Sequence, residues 1–502
     1  MLVGDATVRG TVRTLLADGA TGLPDLTGGE VEQARELVET QLDAVYFDTG
    51  DLRLVRSGVR VRRDANGDAA GWHVRIGPSA SRLEFRFPQT RSERVPMAIR
   101  KLAQGITRGA ALVPVARVRS HRQRVQLLGR ADAVLAEVGR DRVVATRSVD
   151  GVQTEWHEIE VRLIRGDTGV RDRVLSRLVG NGAAEADFPS RLRLALGDQN
   201  PSKVPTPSKK AAAGDVLRAY LAEVHVRLLR HDLRLRADQA DAVHLVRTNA
   251  RRLRSALAAY RKLFEPDSTR RLENGLRGLG TDLSVARDLQ VADELLAEAT
   301  PAHAVSPALV QAVQPVRKEL AARRRANAAE VTKLLESDGY LRLLDDLAAF
   351  VEAPPFRDRA SKPARRELRR GLRAAHRRVT EHWATARASL AADALHDVRK
   401  AVKRLRYACE VAEPVLGDDA RRLRQQAKSL SEVLGERQDA LLVQRTLAEM
   451  VPTLGAGAAA RDASFELGQL KARQDALIHE LEDRAVMQVG LLHSPSAAGW
   501  LG

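Results

Sequence analysis

Two stretches of the chain hold the residues best suited to grip a polyanion. His244 to Arg254 reads H-L-V-R-T-N-A-R-R-L-R, and His396 to Arg406 reads H-D-V-R-K-A-V-K-R-L-R. His244, Arg247, Arg251, Arg252, Leu253 and Arg254 fall on His396, Arg399, Lys403, Arg404, Leu405 and Arg406 without a gap, 152 positions on (396 − 244). A run that keeps register over that distance is an internal repeat. With each residue turned by roughly 100° on a helix, His244, Arg247, Arg251 and Arg254 share a face about 80° wide, and Arg252 points off it. His396, Arg399, Lys403 and Arg406 make the matching face. Val243, Leu253 and Leu257 in one copy, and Leu395, Val402 and Leu405 in the other, supply a buried stripe. Like charges along one helix face repel by a few tenths of a kcal/mol per pair. An anionic polymer would remove that cost; two solvated basic faces are the alternative. Guanidinium forks match phosphate oxygens in pairs. Arginine neighbours depress each histidine, so a neutral imidazole is left to donate one hydrogen bond. No Cys or second His stands at ligand spacing, which argues against a metal at His244 or His396.

More basic residues lie between the copies. Arg366, Arg369, Arg373 and His376 share a helical face and extend the candidate groove, while Arg365 and Arg378 read as solvated charge. Arg323, Arg324 and Arg325 form a further run. A second repeated element links Leu279-Gly280 to Arg287-Asp288, and Leu434-Gly435 to Arg437 and Asp439. Asp288 and Asp439 are read as orienting arginines, in preference to acid–base work. The pattern H-x-x-R-x-x-x-[RK]-R-L-R, present twice, resembles the CHAD domain over roughly Ala213 to Asp483. That resemblance implies inorganic polyphosphate bound in a basic central groove. Two four-helix units about a pseudo-two-fold axis would bring both motif helices to such a groove.

The first 200 residues have a different period. Val59-Arg60-Val61-Arg62, Trp72-His73-Val74-Arg75-Ile76, Leu83-Glu84-Phe85-Arg86-Phe87 and Glu158-Ile159-Glu160-Val161-Arg162-Leu163 alternate as strands do. Stretches near Val31 to Leu42, Pro96 to Gln104 and Gly169 to Leu178 read as helices. The wet face of the strands is basic: Arg60, Arg62, Arg75 and Arg86 alternate, and Arg117, Arg119, Arg122 and Arg124 repeat the pattern. Such residues line either a shared lumen or the solvent face of an open sheet.

Tyr46-Phe47-Asp48-Thr49, Asp51, Leu54, Gly58-Val59-Arg60-Val61-Arg62-Arg63 and Gly71-Trp72-His73-Val74-Arg75 resemble a CYTH domain over roughly residues 5 to 198. Trp156-His157-Glu158-Ile159-Glu160 and Ser190-Arg191-Leu192 match its closing strands and end. The resemblance implies an antiparallel eight-stranded β tunnel barrel with flanking helices that holds triphosphate. Arg60, Arg62, Arg75, Arg86, Arg122 and Arg191 would be its phosphate ligands. Family enzymes hydrolyse triphosphates with a divalent metal, and others act as adenylyl cyclases. Their first strand carries E-x-E-x-K; the best candidate here is Arg9-Gly10-Thr11-Val12-Arg13, which has no carboxylate. Glu158 and Glu160 remain as metal ligands, and Glu84 persists, but hard-oxygen coordination of Mg²⁺ or Mn²⁺ has lost two members. A noncatalytic polyanion site is the preferred reading, with metal-dependent triphosphatase activity, the helical half recruiting substrate, as the alternative. Binding itself requires no cofactor.

Composition bounds the partner. The 502 residues carry 82 Lys and Arg against 65 Asp and Glu, a net charge of +17, which favours acidic partners. Aromatics are 3% of residues, too few for the stacking platforms of single-strand binders. With no helix-turn-helix or zinc-finger pattern, a nucleic-acid or general polyanion binder is the lesser reading. One cysteine, Cys409, allows no internal disulfide and points to a reducing compartment. No signal peptide or membrane span is expected, so the expectation is a cytoplasmic protein, with polyphosphate granules as a candidate location. The chain is divided into a tunnel domain at 1–198, a Pro-rich linker at 199–212, a helical domain at 213–485 and a loosely ordered tail at 486–502. The fold class is thus an α+β domain followed by an all-α domain of two repeated four-helix units.

Overall fold

The alternating stretches become strands because each has one apolar face to bury. The computed structural model describes residues 12–19, 22–67, 70–77, 83–184, 190–199, 207–299, 307–450 and 458–502. The chain divides into two compact units, Met1–Lys203 and Val204–Gly502. In the first, β1 (Val12–Ala17), β2 (Gln33–Asp48), β3 (Val59–Asp64), β4 (Gly71–Ile76), β5 (Leu83–Phe87), β6 (Val113–Leu128), β7 (Val134–Arg147) and β8 (Gln153–Leu163) form one sheet. All neighbours are antiparallel, in the order β1-β8-β7-β6-β2-β3-β4-β5. Among the described residues the ladder ends at β1 and β5.

Val59, Val61, Trp72, Val74, Val138, Ile159 and Val161 turn one way and are fully buried. Three more helices flank the strands: α1 (Arg53–Arg56), α2 (Met97–Thr107) and α3 (Thr168–Gly180). Val170, Val174, Leu175 and Leu178 of α3 complete the core over β7 and β8, and Asp167 caps the first turn of this helix. The charged residues turn the other way. On their side α4 (Arg191–Leu196) packs Leu192, Ala195 and Leu196 against Tyr46, Ala116, Val118, Val143 and Ala145. That packing delivers Arg191 to the charged face.

Two readings of this unit are corrected. Val31 to Leu42 was expected to be a helix, but Gln33 onward belongs to β2, paired with β6 from Gln33↔Leu128 to Asp48↔Val113. Its residues have helical propensity but no core to receive a helical stripe: Val38 stays 85% exposed. The waiting ladder of β6 decides the outcome, as tertiary context often does. Arg117 and Arg119 do not continue the face of Arg122 and Arg124. The register with β7 is unbroken between Arg117↔Thr146 and Arg124↔Gly139, so odd and even positions face opposite ways. Arg117 instead pairs with Asp43.

The second unit is helical: α5 (Ala213–Arg236), α6 (Ala242–Ala259), α7 (Arg270–Asp282), α8 (Ser284–Ala299), α9 (Pro307–Glu336), α10 (Asp338–Glu352), α11 (Ala364–Ala386), α12 (Ala392–Leu416), α13 (Asp418–Met450), α14 (Ala458–Leu492) and α15 (Pro495–Ala498). The repeat is visible in the packing. The neighbours α5–α6, α6–α7 and α8–α9 recur as α11–α12, α12–α13 and α13–α14. Across the repeat α6 meets α12, α5 meets α11 and α9 meets α14. One continuous helix, α13, stands where the first copy breaks into α7 and α8 at Leu283. Val246, Leu253 and Leu257 of α6, and Leu395, Val398, Val402 and Leu405 of α12, are buried to 2% exposure or less. On the packed face of α12 the lone Cys409 is fully buried. No helix among the described residues is long and apolar enough to cross a membrane.

The tail at 486–502, expected to be loose, is built into the fold. α14 runs through to Leu492, α15 and a short 3₁₀ turn follow, and Leu492, Ala497 and Leu501 are buried. These elements rest on α11 and α13, as α10 rests on α5 and α7. The tail is therefore the second copy's counterpart of α10.

Candidate functional site

The motif faces of α6 and α12 converge. Lys403 of α12 lies within Coulombic reach of Arg251 and His244 of α6, and Arg251 also acts on Arg399. From α8, Arg287 reaches His244, Arg247 and Asp439. His244, Arg247, Arg251, Arg254, Arg399 and Lys403 thus form one basic cluster with Arg287. Arg406 joins its edge, donating to the Tyr407 hydroxyl at 2.7 Å while its guanidinium carbon lies 4.6 Å from the ring centre. His396 is flanked by Lys400, Arg399 and Lys403 of its own helix.

The cluster is short of counter-charge. Arg251, Arg254, Arg399 and Lys403 make no ion pair among the described residues, whereas Arg252, off the face, is paired with Glu410 at 3.0 Å. The price of crowding appears in the acid constants. Burial, and then Arg399, Arg251 and Arg406, push the Lys403 ammonium down to about 6. Partial burial, and then Arg287, Arg251 and Lys403, push His244 down to about 4. Burial also lowers Arg247, Arg254 and Arg399, with neighbouring arginines adding to it.

The repeated Leu-Gly element positions the arginines. Arg247 donates to the Gly280 carbonyl oxygen. At the equivalent place, the Arg399 guanidinium lies 3.6 Å from where Gly435 would carry a Cβ, at ordinary van der Waals distance. Asp288 acts on Arg247 and Asp439 on Arg399. Burial raises both carboxylates above their ordinary range despite the nearby arginines.

The α11 residues go elsewhere. Arg373 donates to the carbonyl oxygens of Leu501 at 2.6 Å and Gly502 at 2.8 Å. Arg369 lies 5.6 Å from the Trp500 ring centre, and His376 packs edge-on against His493 at 4.8 Å. This face is covered by the docked tail, and Arg366 is left exposed beside it. The run at 323–325 is partly neutralised, Arg323 by Glu319 and Arg324 by Asp293.

In the first unit the charged face is almost self-compensated. Arg62 pairs with Asp64 at 2.6 Å and Arg75 with Glu84 at 3.0 Å. His73 reaches the same Glu84 at 2.8 Å, Arg86 approaches it at 4.0 Å, and Arg60 donates to the Gly77 carbonyl. Burial raises Glu84, but the His73 hydrogen bond and the Arg75 charge outweigh it and hold the carboxyl far below its usual range. Asp141, fully buried, accepts from Arg122 at 2.6 Å and Arg191 at 2.6 Å. Removing one partner of a buried pair strands the others, so Asp141→Asn should cost about 3–5 kcal/mol, measurable by urea unfolding of the full chain.

Among the described residues, the carboxylates of this face are engaged by arginines and form no group of metal-ligand type. Glu158 accepts from Arg191 at 2.8 Å on one oxygen and from the Trp156 indole at 2.9 Å on the other. Glu160 accepts from Arg162 at 3.0 Å and lies 3.8 Å from Arg122. Burial raises Glu160, but Arg122, Arg162 and Arg191 hold it below its usual range. Across the ladder, Thr14 and Leu16 of β1 stand opposite Glu160 and Glu158, so these positions bring no carboxylate. The facing residues are thus not those expected from the stretch at 9–13, of which 9–11 lie outside the described residues.

An antiparallel sheet with arginines on one face and a duplicated helical unit bearing His/Arg faces define the class: a CYTH-type domain joined to a CHAD-type domain. The CYTH domain model matches residues 18–169 and the CHAD domain model residues 219–448. Uncharacterized proteins from two strains of Mycobacterium tuberculosis are each 33% identical over 460 residues, spanning 86% of this chain and 85% of the relative. The chain belongs to this family of CYTH and CHAD domain proteins. Among solved structures, the CHAD domain from the plant Ricinus communis is 24% identical, with a TM-score of 0.46, covering 58% of this chain and 96% of that one. PptA from Streptomyces chartreusis is 21% identical, with a TM-score of 0.46, covering 55% and 99%.

Proposed function

We propose that this protein binds inorganic polyphosphate, holding the chain against the facing motif helices α6 and α12, and that the sheet face of its first unit is a noncatalytic polyanion site. The observation that carries the reading is the cluster of Arg251, Arg254, Arg399 and Lys403, which meet no carboxylate in an ion pair among the described residues. A folded protein tolerates such a cluster most readily when a polyanion completes it. Nucleic acid is disfavoured because the cluster offers guanidinium groups but no open aromatic surface for bases. A cytoplasmic, granule-associated role belongs to the same reading.

The test is displacement of labelled long-chain polyphosphate at about 0.15 M salt, where weak surface attraction is largely screened. Unlabelled polyphosphate should compete far better than duplex DNA matched per phosphate. Equal competition would reduce the groove to a general polyanion surface. Because the carboxylates of the sheet face are engaged by arginines, tripolyphosphate with Mg²⁺ or Mn²⁺ should release phosphate only at background. Metal-dependent release that disappears in Glu158→Ala would instead establish a triphosphatase.

A further inference from the structure

The duplicated helices are alike in shape but not in charge. Arg252 and Arg404 are repeat equivalents (404 − 252 = 152). Arg252 is neutralised by Glu410 at 3.0 Å, Tyr220 donates to the same carboxylate at 3.1 Å, and the Arg252 guanidinium carbon lies 5.6 Å from the Tyr407 ring centre. At the same offset of 152, Glu410 and Tyr407 correspond to Ala258 and Ser255. Helices α5 and α11 correspond at an offset of 151, which places the buried Leu217, Leu221 and Leu228 on the buried Leu368, Leu372 and Val379. Tyr220 then falls on Gly371, which lies directly against Tyr260 at the end of α6. Every partner of Arg252 is replaced by a small residue around Arg404.

The same substitution occurs one layer out. Arg227 and Arg378 are equivalents (378 − 227 = 151), and Arg227 pairs with Glu223 at 3.3 Å. The counterpart of Glu223 is Ala374. Arg404 and Arg378 make no ion pair among the described residues. Arg404 lies instead among Arg378, Arg254 and Arg261, and burial with these charges lowers its acid constant. Glu273, the carboxylate that reaches it, is already held by Arg261 at 2.8 Å and Thr269 at 2.8 Å. Arg254 belongs to the groove through Arg251 and is also approached by Arg277. The basic surface therefore continues from the groove past Arg254 on this side, while Glu410 and Glu223 oppose an anion on the other.

We propose that Arg404 and Arg378, with Arg254 and Arg277, form a one-sided extension of the groove that takes the onward run of a phosphate polymer, making the site selective for long chains. The proposal rests on the polyphosphate reading above. It predicts that a bound chain leaves the groove at the Arg404 side, since the equivalent exit beside Arg252 carries two carboxylates. Tripolyphosphate, too short to occupy groove and extension together, is indifferent to the difference.

The discriminating change is Ala258→Glu, which copies the Glu410 arrangement onto Arg404 without removing any arginine. Arg404→Gln is the complementary variant, and it carries the test if Ala258→Glu does not fold. Binding of tripolyphosphate and of long-chain polyphosphate to the full chain is measured across a salt series. Either variant should lose about tenfold in long-chain affinity, the loss of one charge-assisted contact, with tripolyphosphate binding unchanged. The logarithmic salt slope for the long chain should fall by about one. Equal losses for both ligands, or unchanged long-chain binding, would overturn the extension while leaving the groove assignment standing. A wild-type protein that binds neither ligand would remove the polyphosphate reading itself, and the extension with it.

Discussion

Reversing charge at the centre of the cluster, Arg251→Glu with Arg399→Glu, should abolish capture of long-chain polyphosphate at physiological salt while leaving the protein folded. The two arginines come from different repeats and act on one another across the groove. Each charge-assisted contact to phosphate contributes about 1.5–3 kcal/mol, and the reversal adds repulsion to the loss. A fall in affinity of at least about 100-fold is expected. Stability should move the other way. Neither arginine has an ion-pair partner among the described residues to lose, and the double change removes the repulsion between Arg251 and Arg399 themselves. The ligand-free variant should therefore melt at the same temperature as the wild type or higher. Displacement assays and thermal unfolding of the same samples check both halves. Retained affinity in the folded variant would move the site away from α6 and α12.

Polyphosphate binding should weaken steeply as pH rises above about 6. In the free protein Lys403 is held near 6 by burial and by Arg399, Arg251 and Arg406, with Asp439 acting against them. A phosphate chain in contact with it restores the ammonium toward its ordinary value near 10.4. The complex then holds more protons than the free protein, so affinity rises as pH falls, and the Lys403 contribution levels off below about 6. Between pH 6 and 8 the limiting slope is about tenfold per unit for one proton. His244 adds uptake over a lower window, between about 4 and its ordinary range. Calorimetry in two buffers of different ionisation enthalpy should show about one proton taken up per site near pH 7.5. Long chains are the proper ligand, since their internal phosphates stay ionised throughout. Lys403→Arg should flatten the dependence while keeping the affinity measured at pH 6; an unaltered slope in that variant would clear Lys403 of the role.

The two motif faces were legible because duplication fixes register without any knowledge of packing. His244, Arg247, Arg251 and Arg254 share a face by pitch alone, and their counterparts on α12 repeat it. The Leu-Gly element was equally visible, although what Gly280 and Gly435 do for Arg247 and Arg399 needed coordinates. The strand at 33–48 was misread because its propensities are helical and its deciding partner lies some eighty residues away in β6. Arg369, Arg373 and His376 shared a face as expected, but pitch cannot say what covers a face. A signal was present: Leu334-Leu335-Glu336-Ser337 before α10 recurs as Leu491-Leu492-His493-Ser494 before α15. Read as repeat, it places the tail where α10 sits and assigns the α11 face to packing. Arg404 and Arg378 stand out only when the two copies are compared for the carboxylates that the repeat fails to duplicate; on its own helix each is one basic residue among many.

The burial of Cys409 makes the second motif helix a timer of its own opening. A thiol reagent needs the thiolate in contact with solvent; here full burial removes access and also pushes the thiol's acid constant up. Modification must therefore wait for α12 to part from its neighbours, and with no other cysteine in the chain each event reports that parting alone. The rate is a direct reading of local opening free energy. Any ligand that ties α6 to α12 will lengthen the wait, so occupancy of the groove can be followed as chemical lifetime, without a label on protein or ligand.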